Sequence, residues 1–267
     1  MLDKPELPAS HGIQPVRYIS VGVGAPHEVE DEIVEEATAC ITVNGRELAT
    51  FMCTPHQLDW LGVGFLLNEG IITTAEEIAT LHISDSHCVD VWLTHDFTPP
   101  ERLIVTAGCG GGVTFDDLSA QHDPLTETLH AGPDTLAELM RQLHLGAERY
   151  QRSRGIHTAV LATEVPFRTP SDILLQVEDL GRHNCLDKLA GAALLQGIST
   201  PGKILLSSGR ISSEMVNKAR RMGTPIVCSR TSPTSLSVAL AEAWNITIVA
   251  YLRQDRMRIY THPERVL

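Results

Sequence analysis

The rhythm of hydrophobic and polar positions changes about halfway along the chain. In the first half the alternation is short and two-fold. "EEATACITVNGRELATFMCT" (35–54) alternates on both sides of Asn44-Gly45. That pair supplies the two positive φ angles a tight hairpin needs, so two antiparallel strands are predicted. Thr54 then reads as a helix N-cap with Pro55 in the first position, and "HQLDWLGVGFLLNEG" (56–70) as a helix stopped by Gly70. "IITTAEEIATL" (71–81) predicts a short capped helix. "RLIVTAG" (102–108) predicts a strand running into a glycine loop, and the polar residues 116–131 a connection between two halves.

In the second half, strands and helices alternate. "PDTLAELMRQLHLGAERY" (133–150) is amphipathic at helical spacing, and "IHTAVLAT" (156–163) and "DILLQVED" (172–179) read as strands. Helices follow in "HNCLDKLAGAALLQG" (183–197), "SEMVNKARRMG" (213–223) and "SPTSLSVALAEAWN" (232–245). They are separated by strands in "KILLSSG" (203–209), "PIVCS" (225–229) and "ITIVAYLR" (246–253). This order predicts an α/β fold: a β-rich N-terminal part, then a mostly parallel sheet with helices on both faces.

Composition narrows the chemistry. A chain of 267 residues with 43% hydrophobic content is enough for one large domain or two smaller ones. A net charge of -12 sets a global field that repels nucleic acid and anionic membranes, so any anionic ligand needs a local positive cluster. No apolar run approaches the roughly 20 residues of a membrane span. The opening "MLDKPELPASHG" lacks the apolar segment of a signal peptide, and a cytosolic location is the expectation. The six cysteines show no paired short spacing, which argues against a disulfide framework and against a four-cysteine zinc site. There is no H-x-E with a downstream P-C-x-x-C, no P-loop and no G-x-S-x-G elbow, and a resident metal is not expected.

Four second-half strands each lead to an arginine: Arg182, Arg210, Arg230 and Arg253. Ligands of open α/β sheets bind beyond the carboxyl ends of the strands, where helix N-termini also point. Arginine forks with the nearby hydroxyls of Ser207, Ser208, Ser212, Ser213, Thr231, Ser232, Thr234 and Ser235 suit a phosphate or pyrophosphate. The alternative is that these arginines are solvated or pair with Glu178, Asp179 and Glu214. His183, in "EDLGRHNCLDK", is either a structural hydrogen-bonding group or a base. Cys109 heads "CGGG", where a thiol on a glycine loop is open to reaction, whereas the other cysteines read mainly as small buried hydrophobes.

Several segments together resemble one family. "GFLLNEGII", "TAGCGGG", "EDLGRHNCLDKLAG", "LLSSGRISSEMVNKA", "SRTSPTSLSVALAEAWNITIVAYLR" and "RMRIYTH" are similar to the formate dehydrogenase accessory sulfurtransferases, the FdhD/NarQ family, from about residue 35 onward. The resemblance implies a cytosolic, dimeric sulfur carrier that holds persulfide on Cys109. It implies that the sulfur comes from a cysteine desulfurase and passes to the molybdenum or tungsten of a bis-molybdopterin guanine dinucleotide cofactor destined for formate dehydrogenase. It also implies a C-terminal cytidine deaminase-like α/β/α domain (131–267) behind an N-terminal domain (1–130) that carries the Cys109 loop. The guanine dinucleotide site maps onto Tyr251, Leu252, Arg253, Gln254, Asp255 and Arg256, with Arg182, His183, Arg210 and Arg230 as further contacts and GDP as a partial mimic. One departure stands out: most members carry C-x-x-C in the loop, and here Gly112 replaces the second cysteine. That leaves two readings: a single-cysteine carrier, or a cofactor chaperone that transfers no sulfur. A nucleotide or base hydrolase is a fold-level analogy only.

Overall fold

The structure is a computed structural model and describes residues 12–99, 104–105, 113–114, 122–163, 173–253 and 256–267. The N-terminal half opens with a two-stranded antiparallel ribbon, β1 (Ile13–Ser20) and β2 (His27–Val34), in a segment where no strand was expected. The expected hairpin follows as β3 (Ala37–Val43) and β4 (Arg46–Cys53), with Asn44 at φ 49° and Gly45 at φ 76° in the turn. Helix α1 (Leu58–Asn68) comes next, then β5 (Ile78–Ile83) and β6 (Cys88–Leu93). These strands form a four-stranded sheet in the order β4-β3-β6-β5. Beyond it lies a short pair, β7 (Ile104–Val105) with β8 (Val113–Thr114).

Two local expectations shift. The helix starts at Leu58, not at Pro55, because Thr54 is engaged elsewhere: its backbone N–H donates to Asp179 (3.2 Å) and its hydroxyl accepts from the Leu180 N–H (3.1 Å). The segment after Gly70 makes only a 3₁₀ turn (Ala75–Glu77) before becoming β5. A third expectation is overturned. Cys40 and Cys88 form a disulfide with Cα atoms 4.5 Å apart. Their separation of 48 residues hid the pairing, which exists because β3 and β6 run parallel with these two residues directly opposite.

The second half follows the predicted alternation: α2 (Pro133–Gly146), α3 (Glu148–Ser153), β9 (His157–Ala162), β10 (Ile173–Asp179), α4 (Arg182–Leu195), β11 (Ile204–Ser207), α5 (Ser213–Arg221), β12 (Ile226–Ser229), α6 (Ser235–Ala243), β13 (Thr247–Arg253) and β14 (Arg256–Ile259). The helix expected over 133–150 is broken at Ala147, whose ψ of 71° lies outside the helical range. The six strands order as β10-β9-β11-β12-β13-β14. Parallel pairing is confined to β11-β12-β13, while β9, β10 and β14 join antiparallel, so the sheet is mixed. Side-chain alternation splits its faces. Leu205 and Val227 point into a core shared with α4, α5 and α6, whereas Ile204, Leu206, Ile226 and Cys228 face α2 on the other side. The result is an α/β/α sandwich.

Helices α1 and α4 join the two halves. A helix that is apolar nearly all round belongs in an interior. One side of α1 packs on the four-stranded sheet through Leu61, Phe65 and Val89, and it meets α4 on its other side. The crossing uses Gly64 and Gly191, where a Cβ would run into the Asp187 carbonyl or the Trp60 carbonyl respectively. Around it lies a buried polar network. Lys188 reaches Asp179 (2.7 Å) and the Thr54 carbonyl, Asn184 donates to the Met52 carbonyl (2.9 Å), and Lys218 donates to both Asp187 oxygens (2.6 and 2.7 Å). Burial alone would discharge Lys218; Asp187, Glu214 and Glu69 outweigh it and hold the ammonium charged.

Candidate functional site

Because β11, β12 and β13 are parallel, their carboxyl ends lie together. Strand β9 runs the opposite way, so its first residue, His157, lands at the same edge. The connection between α2 and α3 closes one side. The half-open cavity there, about 490 Å³, is lined by His144, Tyr150, Arg154, His157, Thr158, Ser208, Arg230, Thr231 and Arg253, together with Leu143, Ala147 and Ile156. A second cavity of about 560 Å³ shares His144, Arg230 and Arg253 and adds Arg141 and Leu252. Together they form one groove, each part within the size range of small-molecule sites.

Its donors are held from behind. Arg230 donates to His144 Nδ1 at 3.2 Å. Arg154 lies over the Tyr150 ring, 5.4 Å from its centre. The Ser208 hydroxyl is fixed between the Thr158 N–H (3.0 Å) and His157 Nδ1 (3.2 Å). Strand β13 breaks register between Ala250 and Arg253, and Tyr251 takes φ 50°, an unusual angle for an aromatic residue. Such a bulge re-aims the residues that follow it. Arg258 packs on the Tyr251 ring, 4.3 Å from its centre, and a small cavity is lined by Tyr251, Arg253, Arg256, Met257 and Arg258.

The residues singled out in sequence therefore divide. Arg230 and Arg253 line one groove, Leu252 lines its second cavity, and Tyr251 and Arg256 stand beside it. Arg182 and His183 are instead buried in the first turn of α4. A Cβ on Gly209 would sit 2.8 Å from the Arg182 Cβ, so that glycine makes room for the arginine side chain. His183 lies 3.0 Å from the Ser212 hydroxyl, which caps α5, and 3.2 Å from a Glu214 oxygen. Burial, then Arg182, Lys218, His157 and Arg210, push the His183 imidazole down to about 2, so it is neutral. Arg210 is exposed. Cys109, Gln254 and Asp255 lie outside the described residues.

His144, Tyr150, Arg154 and His157 were missed in sequence. His157 could be placed only once the direction of β9 was known, and Arg154 follows a helix end at φ 58° that has no local signature. Among the described residues no three His, Cys, Asp or Glu side chains converge as a metal site, and no helix is long and apolar enough to cross a membrane.

Fold and groove define an α/β/α protein with a basic groove at its strand ends, joined through a buried helix pair to a small β-sheet. The chain belongs to the FdhD/NarQ family, whose profile matches residues 34–267. It is 35% identical over 251 residues to a protein of Bacillus subtilis (strain 168) named sulfur carrier protein FdhD, covering 91% of this chain and 93% of that protein. A protein of Bacillus pumilus (strain SAFR-032) with the same name is 37% identical over 244 residues, covering 88% and 90%. Among solved structures, a Desulfotalea psychrophila protein described as a formate dehydrogenase accessory protein superposes with a TM-score of 0.75 at 26% identity, over 96% of this chain and 99% of that one.

Proposed function

We propose that this protein is a sulfur carrier in formate dehydrogenase maturation, with Cys109 as the carrying thiol and the arginine groove as the seat of a phosphate-bearing cofactor. The observation that supports it most is the groove itself. A chain of charge -12 gathers Arg154, Arg230 and Arg253 at one strand-end cavity, beside hydroxyls held in fixed orientations. Membership of a family whose relatives are named sulfur carriers supplies the reaction class.

In this reading the Cys109 thiolate attacks the outer sulfur of a cysteine desulfurase persulfide. A new sulfur–sulfur bond forms on Cys109, the old one breaks, and the desulfurase cysteine leaves as a thiolate. Delivery to the metal of a bis-molybdopterin guanine dinucleotide, the substrate, returns the Cys109 thiolate. The transferred sulfur takes two electrons from the metal, which rises by two oxidation states. The guanine dinucleotide's pyrophosphate lies against Arg230 and Arg253 and the Ser208 hydroxyl, which hold it while the sulfur arrives. The protein acts as a dimer in the cytosol. With Gly112 in place of the second cysteine of C-x-x-C, that motif has no second thiol to expel the sulfur as a disulfide, so the acceptor must take it directly.

The same Gly112 favours one competing reading, a chaperone that binds the cofactor without sulfurating it. Incubation with a cysteine desulfurase and cysteine, followed by peptide mass spectrometry, separates the two. The carrier gains one sulfur on the Cys109 peptide, and Cys109→Ala abolishes dehydrogenase maturation while the protein stays folded. Cofactor binding with no sulfur gained, or maturation by the alanine variant, rejects the carrier role.

A further inference from the structure

The Cys40–Cys88 pair belongs to the four-stranded sheet and not to the groove. Along β3 and β6 the residues Ala39, Ile41, Val43, Val89 and Val91 turn inward and are at most 1% exposed. The alternate positions, Thr38, Cys40 and Thr42 on β3 and Cys88, Asp90 and Trp92 on β6, turn to the opposite face. Cys40 and Cys88 are both half-buried there, in a neighbourhood open enough to leave Trp92 52% exposed. The other described cysteines, Cys53, Cys185 and Cys228, are completely buried. Burial pushes the Cys53 thiol up to about 12 and the other two upward as well, which leaves them inert.

We propose that Cys40 and Cys88 form a reversible thiol–disulfide exchange site whose reaction partner is a dithiol reductant in one direction and a disulfide oxidant in the other. Three observations carry it. The bond lies half-buried on the sheet face turned away from the core, and disulfides that solvent can reach are the labile ones. Cys88 is the first residue of β6, directly after the turn at Ser84–His87, so one end of the bond is at the rim of the sheet. The strands do not depend on the bond to stay together: their backbone ladder continues from Ile41–Val89 to Val43–Val91, Thr42 hydrogen-bonds Asp90 beside it, and the inward residues pack on α1. A bond that can be cut without separating its strands can be cycled.

The chemistry balances without any further component. One thiolate of the dithiol attacks a sulfur of the pair, giving a mixed disulfide, and the other cysteine leaves as a thiolate and takes a proton. The reductant's second thiolate then attacks the reductant's first sulfur, closing the reductant's own disulfide, and the second cysteine leaves as a thiolate and takes a proton. Two electrons and two protons have passed to the pair, and a disulfide oxidant reverses the sequence. The inference does not rest on the sulfur-carrier reading.

The test uses full-length Cys109→Ser protein, so that the pair supplies the thiols open to solvent. Native protein is treated with dithiothreitol, then with oxidised glutathione, and sampled at each stage with a polymer-linked maleimide; circular dichroism follows the fold. The expected result is no label before reduction, two labels after it and none again after oxidation, with an unchanged spectrum. The additional Cys40→Ser/Cys88→Ser substitutions should remove both labels. Peptide mapping of unsubstituted protein, labelled on Cys40 and Cys88 only after reduction, gives the same answer if a variant folds poorly. Labelling of the pair before reduction, labelling that requires denaturant, failure to re-form the bond, or loss of fold on reduction would each overturn the proposal.

Discussion

At the scale of single residues, the arginines do different work despite equivalent positions in sequence. Arg230 and Arg253 reach the groove, while Arg182 is packed over Gly209 inside the protein. A charge-assisted hydrogen bond is worth about 1.5–3 kcal/mol, and tenfold in affinity corresponds to about 1.4 kcal/mol. Arg253→Ala and Arg230→Ala should therefore each weaken GDP binding by roughly ten- to a hundredfold. Lysine at either position should rescue only in part, because it lacks the planar fork. Arg182→Ala should lower stability more than affinity. Titration calorimetry on the three alanine variants decides it, and parent-like binding by both groove variants would remove the groove as the phosphate site.

At the scale of elements, the α1–α4 crossing decides how the two halves sit together. Glycine inside a helix normally costs roughly 1 kcal/mol relative to alanine, so on propensity alone Gly64→Ala should stabilise. The structure predicts the opposite sign. A methyl group at Gly64 would meet the Asp187 carbonyl and the Gly191 backbone, which are main-chain groups that cannot turn aside. Overpacking of a core costs about 1–3 kcal/mol and here would also strain the Lys218–Asp187 pair next to it. Gly64→Ala and Gly191→Ala are each expected to lower the urea midpoint by an amount equivalent to about 2 kcal/mol or more. An unchanged or raised midpoint would show that the helices separate without penalty.

Over the whole molecule, the buried His183 and the half-buried His157 tie stability to pH. His183 is pushed down to about 2, and His157 is lowered too, first by burial and then by Arg182. In the unfolded chain both titrate near 6.5. Above that pH both states are neutral at these positions and the contribution is level. Below it the unfolded chain takes up protons that the folded protein refuses. Stability then falls with pH by up to about 1.4 kcal/mol per pH unit for His183, and His157 adds in the same direction. Urea midpoints should thus drop between about pH 6.5 and 5, above the range where most carboxylates titrate, and His183→Gln should flatten the drop. An equally steep slope in that variant would assign the effect to other groups.

The element types of the second half and the β3–β4 hairpin of the first were legible because a helix or strand reads its own neighbours: apolar spacing, a hairpin Asn-Gly and a capping hydroxyl act within a few residues. The arginines at the strand ends and the segments shared with the FdhD/NarQ family were legible for the same reason. Thr54 shows where local reading fails. It has the chemistry of an N-cap, but Asp179 and Leu180, 125 and 126 residues away, take its hydrogen bonds and delay α1 by a turn. The parallel register that joins Cys40 to Cys88, the reversed direction of β9 that brings His157 to the groove, and the separation of Arg182 from Arg230 and Arg253 were all set by tertiary structure. Each depends on which strands pair and which faces are buried. That choice is made by the burial of whole cores and not by local spacing, so no short stretch of the chain contains it.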